Sequence, residues 1–232
     1  MAGQETAFII GVGPGLSASL ARLFASEGMG IALGARNVDK LDALARETDA
    51  ARFAVDVVDP HSVETFFAQA VADKGTPDIV IYNPSARTRG PFVEQDAEAV
   101  KNALLISCYG GFLVGQVAAK LMLDQGSGSI QFTGASASVK GYAQSASFAM
   151  GKFGLRGLAQ SMARELAPKN IHVAHFVIDG GIGDTSDPRA AGRGEDGMLH
   201  PDAIAQSYLH IHRQHRSAWT WEVELRPWVE NF

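Results

Sequence analysis

Short apolar runs alternate along the chain with longer stretches in which apolar side chains return every three or four positions. The short runs at Ala7–Ile10, Gly30–Gly34, Arg52–Val55, Ile79–Tyr82, Ser129–Thr133 and His172–Ile178 predict strands, and the stretches between them predict helices. Strand and helix in steady alternation predict α/β architecture: a parallel, doubly wound sheet inside a three-layer α/β/α sandwich. In the first helical stretch Leu16, Leu20, Leu23 and Phe24 form one stripe on an otherwise small and polar surface, suited to lying flat on a sheet. Near the carboxyl end, Trp219, Trp221, Val223 and Leu225 alternate with Thr220, Glu222, Glu224 and Arg226, which predicts a seventh, half-buried edge strand within Trp219–Pro227. The segment Asp184–His200 has no period and is rich in Gly, Asp and Arg, so a mobile loop over a substrate site is expected there.

Composition adds limits. A chain of 232 residues with 46% hydrophobic side chains can bury one core, so residues 1–232 are read as a single domain. The net charge is −5, and scattered Lys and Arg give no basic stripe; no nucleic-acid partner and no membrane partner are expected, and a small-molecule substrate is. The single cysteine, Cys108, excludes an intramolecular disulfide. Met1–Thr6 carries no targeting pattern and no later run reaches membrane-spanning length, so the expected location is cytoplasmic.

The first predicted strand leads through Gly11-Val12-Gly13-Pro14-Gly15-Leu16-Ser17 directly into the amphipathic helix. Glycines 11 and 15 permit positive φ and close approach, so that amides at the helix start can hold a pyrophosphate, with Gly13 a further glycine in the turn. Some twenty residues later the second strand ends in Gly34-Ala35-Arg36-Asn37, where no carboxylate stands to bond an adenosine ribose. Arg36 offers a planar cation to a 2′-phosphate instead, which favours NADP(H) over NAD(H).

The glycine spacing, with Ser17 in the third glycine's place, resembles the short-chain dehydrogenase/reductase family, and the likeness runs over nearly the whole chain. It implies a Rossmann-like fold, contacts of Asp56 and Val57 with adenine, a cofactor-lining role for Asn83, and a backbone contact from Ile182 to the nicotinamide carboxamide. Leu16, the first residue of the helix, belongs to the same cofactor-binding set. The family's Tyr-x-x-x-Lys appears as Phe148-Ala149-Met150-Gly151-Lys152. In the family the lysine binds the nicotinamide ribose and the tyrosine protonates the substrate oxygen; Phe148 has no hydroxyl. The family's catalytic serine aligns with Ala135, its helical asparagine with Ser107, and the proline after the sixth strand with Asp179. Lys152 alone of the four-member set is unchanged.

A substitute hydroxyl stays open among Thr133, Ser136 and Ser138, and Tyr142, the phenol nearest in sequence, either folds over the cleft or has a substrate-lining or packing role. Asp179 is either a proton-handling carboxylate or a turn residue. The catalytic set is thus Lys152, Ser136, Tyr142 and Ser107. His210, His212 and His215 lack the converging spacing of metal ligands, so no metal is expected and a solvated helix end is the ordinary reading. Trp219, Trp221, Trp228 and Phe232 crowd the carboxyl end, where a partner subunit could cover them; the resemblance also implies a homodimer or homotetramer. Two readings follow: an NADP(H)-dependent oxidoreductase acting on a carbonyl or alcohol with an atypical proton donor, or a cofactor-binding relative with impaired turnover that acts as a sensor or interaction module.

Overall fold

Strand residues that are apolar on both sides require a sheet covered on both faces. In the computed structural model, which describes residues 4–184 and 186–229, that sheet has seven parallel strands. They are β1 Thr6–Ile10, β2 Gly30–Ala35, β3 Ala51–Ala54, β4 Ile79–Tyr82, β5 Gly128–Thr133, β6 Ile171–Ile178 and β7 Glu222–Leu225, in the spatial order β3-β2-β1-β4-β5-β6-β7. Every residue of β1, β4 and β6 is buried. Because side chains alternate along a strand, Ile9 and Ile81 join one core with Leu20, Phe24, Phe176 and Tyr208. Phe8, Ile10 and Val80 join the other, with Phe66, Met122 and Leu155. The helices covering these faces are α1 Leu16–Ser26, α2 Asp42–Thr48, α3 Pro60–Lys74, α4 Ala97–Leu104, α5 Gly110–Gln125, α6 Ala146–Leu166 and α7 Pro201–His212. The order reverses at β1 and β4, which opens a crevice at their carboxyl ends, the usual ligand position in such sheets.

The predicted seventh strand is present but shorter, Glu222–Leu225, paired in parallel with β6. On α1 the predicted stripe holds except at Leu23, which is half-buried, while Ser17, Ala18, Ser19 and Ala21 are buried as well because α7 packs beside this helix. One expectation is corrected. Helices α4 and α5 run on through a π-bulge, Leu105–Tyr109, into one 29-residue helix, Ala97–Gln125, with a window of mean hydropathy 1.5. By length and composition alone it could cross a bilayer; here Leu113, Val114, Ala118 and Met122 on its inner face fill the core. The bulge frees a carbonyl from the helix ladder, and the buried hydroxyl of Tyr82 on β4 donates to it at Ile106.

Of the carboxyl-terminal aromatic group, Trp219 stacks on His172 with ring centroids 4.6 Å apart, and Trp221 lies near Arg156. Trp228 is exposed, as are Tyr109, Phe112 and Phe153 on the long helices. Phe232 and the start of the amino-terminal segment, Met1–Gly3, lie outside the described residues.

Candidate active site

The turn after β1 is built around Gly11. Its φ is +84°, and a Cβ there would stand 2.6 Å from the Pro84 nitrogen, so only glycine fits. The Gly11 and Val12 amides donate to the Gly34 carbonyl at 2.9 and 3.1 Å, fastening the turn to β2. Gly15 departs from the positive φ expected of it, with φ −87°. Its contribution is space: a Cβ on Gly13 or Gly15 would meet nothing within 4 Å, because both face the cleft. Leu16 opens α1 and is buried beneath the turn, leaving the helix amino end toward the same space. Ser17 points inward, donating to the Gly11 carbonyl at 3.1 Å and accepting from Asn83 Nδ2 at 2.6 Å. Asn83 therefore ties the turn to the end of β4 and lines the cleft beside it.

From this turn the cleft extends both ways. Toward β2 and β3 lies a cavity of about 450 Å³ lined by Arg36, Lys40, Asp56 and Val57. Arg36 and Lys40 are exposed and have no ion-pair partner among the described residues. Lys40 is a further lining residue, and nothing in the sequence alone singles it out. Asp56 is anchored through its backbone amide, which donates to Ser62 Oγ at 2.9 Å. Toward β5 and β6 lies a larger cavity of about 720 Å³, sharing Gly11, Asn83, Ser85 and Ala86 with the first. A cradle without Cβ atoms at a helix amino end fits a dinucleotide, and Arg36 and Lys40 stand at one side of it.

The larger cavity holds Phe148 and Lys152, one helical turn apart on α6. Lys152 is 2% exposed, and its ammonium donates to the Thr133 carbonyl at 2.7 Å. Burial lowers its pKa to about 8. Three hydroxyls left open by the sequence separate by direction. Thr133 Oγ1 bonds the Tyr208 hydroxyl at 2.9 Å, beneath the sheet. Ser138 is fully buried. Ser136 lines the cavity, and its hydroxyl makes no hydrogen bond among the described residues.

Other expected groups are not brought to this cavity. Tyr142 is 47% exposed and does not line the cavity. Ser107 sits in the π-bulge, fully buried, where its hydroxyl accepts from the Ala86 amide and donates to the Ala86 carbonyl, each at 3.0 Å. It is an anchor for the β4–α4 loop. Asp179 pairs with Lys140 at 2.9 Å and Arg226 at 3.3 Å outside the cavity lining, which accords with the turn reading rather than proton handling. Ile182 does line the cavity; its carbonyl accepts from Arg189 at 2.9 Å. Of the four tyrosines, Tyr82 and Tyr208 are buried, with phenol pKa values pushed far up by burial, and Tyr109 and Tyr142 are exposed elsewhere. No tyrosine lines the cleft.

Ser138, His175 and Glu222 form a chain with the order of a nucleophilic triad: Ser138 Oγ lies 3.3 Å from His175 Nε2, and His175 Nδ1 3.2 Å from Glu222. Ser138 and His175 are closed to solvent, and Ser138 Oγ also accepts from the Ala135 amide at 3.1 Å, so the chain fixes the Ser136–Ser138 turn instead of reaching a substrate. Arg156 completes it with two bonds to Glu222, at 2.6 and 2.8 Å. Burial lowers the His175 pKa from 6.5 to about 4, against the pull of Glu222. The unfolded chain then takes up this proton first, so stability is full above about pH 6.5 and is lost as pH falls toward 4, by about 3 kcal/mol for this residue. His175→Gln is expected to flatten that part of the curve; urea unfolding of both proteins at pH 7, 5.5 and 4.5 checks it, and an unchanged slope refutes the assignment.

Sequence reasoning also missed Arg87, Arg89, Arg189 and Arg193, all of which line the larger cavity. The basic residues that look scattered along the chain are gathered there. Arg189 belongs to a short turn, Pro188–Ala190, inside the segment expected to be a loop, which is tied down by a bridge between Ile182 and Leu199. The three histidines diverge: His210 is exposed, His212 is tucked beside Glu5 at 3.5 Å rather than solvated, and His215 accepts from the Ser217 amide.

A family model described as short chain dehydrogenase matches residues 5–187. The 3-dehydrosphinganine reductase TSC10A of Arabidopsis thaliana is 32% identical over 72% of this chain, and the matched region spans about half, 53%, of the plant protein. D-threitol dehydrogenase of Mycolicibacterium smegmatis is 28% identical over 73% of this chain and 67% of its own length. Among solved structures, a short-chain dehydrogenase from Rhodopseudomonas palustris is 36% identical with a TM-score of 0.85, covering 98% of this chain and 100% of its own. Actinorhodin polyketide ketoreductase, solved with NADPH, shares the fold at 20% identity and a TM-score of 0.89, covering all of both chains.

Proposed function

Since the chain belongs to the short-chain dehydrogenase family, we propose that it is an NADP(H)-dependent oxidoreductase of a carbonyl or alcohol substrate that works without a phenol. The observation that carries this reading is the continuity of the cleft: Arg36 and Lys40 line one end, the glycine turn the middle, and Ser136 and Lys152 the other. When bound, NADPH supplies a hydride for the carbonyl carbon. The chain's own residues do the remainder. Gly13, Gly15 and the start of α1 receive the pyrophosphate, and Arg36 with Lys40 receives the 2′-phosphate, for which a like-charged carboxylate at Ala35 would be a penalty. Asp56 and Val57 flank the adenine, and Ile182 the carboxamide. Ser136 donates to the substrate oxygen. Lys152 would hold the nicotinamide ribose and, with its pKa near 8, pass a proton toward the substrate oxygen through water.

The cofactor assignment is tested by titrating NADPH and NADH into the wild type and Arg36→Gln/Lys40→Gln. Two charge-assisted contacts removed from an exposed site correspond to a loss of about 10- to 100-fold in NADPH affinity with little change for NADH. Equal affinities in the wild type, or a preference for NADH, would overturn it.

A further inference from the structure

Among the described residues the larger cavity is lined by five cations, Arg87, Arg89, Lys152, Arg189 and Arg193, and by no Asp or Glu, although the chain as a whole carries a net charge of −5. These cations are not equivalent. Arg189 is matched by Asp187 at 2.5 Å, and Arg193 Nε donates to the Arg189 carbonyl at 3.0 Å. Arg87 and Arg89 have no acidic partner among the described residues. Arg87 instead lies over the face of Phe148, with its guanidinium carbon 5.3 Å from the ring centroid. Its pKa is lowered by burial and by the neighbouring charges of Arg89 and Arg189, as expected where positive charge collects without a counterion.

The backbone holds these two arginines in place. Ala86 is pinned on both its amide and its carbonyl by Ser107, each at 3.0 Å. Thr88 is pinned to the buried Ser147, its amide donating to Ser147 Oγ at 2.9 Å and its carbonyl accepting at 3.2 Å. Gly90 donates to the Gln144 carbonyl at 3.3 Å. Residues 86, 88 and 90 are thus fastened, and the intervening side chains 87 and 89 are left to project into the cavity. A guanidinium held against an aromatic face, with its donors unspent, is prepared for a planar or tetrahedral oxyanion. Its place beside Phe148, one turn from Lys152, puts that anion at the reacting end rather than at the glycine turn.

We infer that the substrate is a carbonyl or alcohol compound bearing an anionic group, a carboxylate or a phosphate ester, gripped by Arg87 and Arg89 above Phe148. The inference rests on the oxidoreductase reading for the word substrate, and on the arginine pair alone for the anion. The test uses the protein saturated with NADP⁺, titrated by calorimetry with phenylglyoxylate and its neutral methyl ester, and with dihydroxyacetone phosphate and neutral dihydroxyacetone. At least one anion is expected to bind about 10-fold to 100-fold more tightly than its neutral partner. The pair with the larger ratio identifies carboxylate or phosphate. In Arg87→Gln/Arg89→Gln, both exposed positions, that advantage is expected to fall below about 3-fold while NADPH affinity stays unchanged.

Equal binding within both pairs, no binding by any of the four, or an advantage that survives the double variant overturns the inference. So does a matching loss of NADPH affinity, which would assign the arginines to the cofactor. The same compounds assayed with NADPH separate the two readings. Anion-selective binding without NADPH oxidation counts against the oxidoreductase, and oxidation at equal rates with acid and ester counts against the anion site.

Discussion

Phe148→Tyr is expected to raise kcat for NADPH-dependent reduction of neutral ketones by about 100-fold, within the 10²- to 10⁴-fold range of a positioned general acid. Phe148 lines the cavity on α6 one turn before Lys152, so a phenol there stands beside a buried ammonium that favours its ionised form. The ring is half-buried at the cavity wall, with Arg87 over one face. The fold is therefore expected to be unaffected, with Tm changing little. Steady-state rates of NADPH oxidation for the two proteins across pH 6–9 check the prediction. A rate that stays flat would mean that α6 does not present this position to the reacting oxygen.

The sequence carries most of the scaffold because the scaffold is local. Ile79–Tyr82 is legible to the residue as β4, bounded on both sides by turn formers, and the other strands through β6 differ by a residue or so at an end. The glycine turn is legible for the same reason, since strand, turn and helix follow one another directly; Lys152 is legible through the family resemblance of its helix. What depends on tertiary placement is not legible. Thr133, Ser136 and Ser138 are equally plausible as hydroxyls until their bonds are known: Thr133 also lines the cavity but commits its hydroxyl to Tyr208, Ser138 commits its own to His175, and Ser136 lines the cavity with its hydroxyl unspent among the described residues. Ser107 resembles a depleted catalytic residue in sequence, but in the fold it is the clasp on Ala86 that sets Arg87 in place. Arg87 and Arg193 are far apart in sequence and meet only where the loop after β4 faces the segment after β6. The long helix Ala97–Gln125 escapes a periodicity reading because the π-bulge shifts its apolar face midway.

Lys152→Met is expected to separate activity from stability. Lys152 is 2% exposed, and beyond the hydrogen bond to the Thr133 carbonyl its charge has no counterion among the described residues. An apolar chain of similar length relieves that desolvation, so Tm is expected to rise or hold. Loss of the proposed ribose contact and proton relay is expected to lower kcat by about 100-fold or more. If Lys152 supplies the proton, the working form in reduction is the charged one, which predominates below its pKa of about 8 and declines above it.

The central claim, turnover sustained by Lys152 in a cleft without a phenol, is tested most directly by the pH dependence of kcat for NADPH oxidation in the wild type beside Lys152→Met. A wild-type plateau below about pH 8 and a fall of about tenfold per pH unit above it are expected, with the variant slow throughout. Wild-type rate and profile retained in Lys152→Met, or a wild type inert toward every carbonyl that Phe148→Tyr reduces, would contradict it.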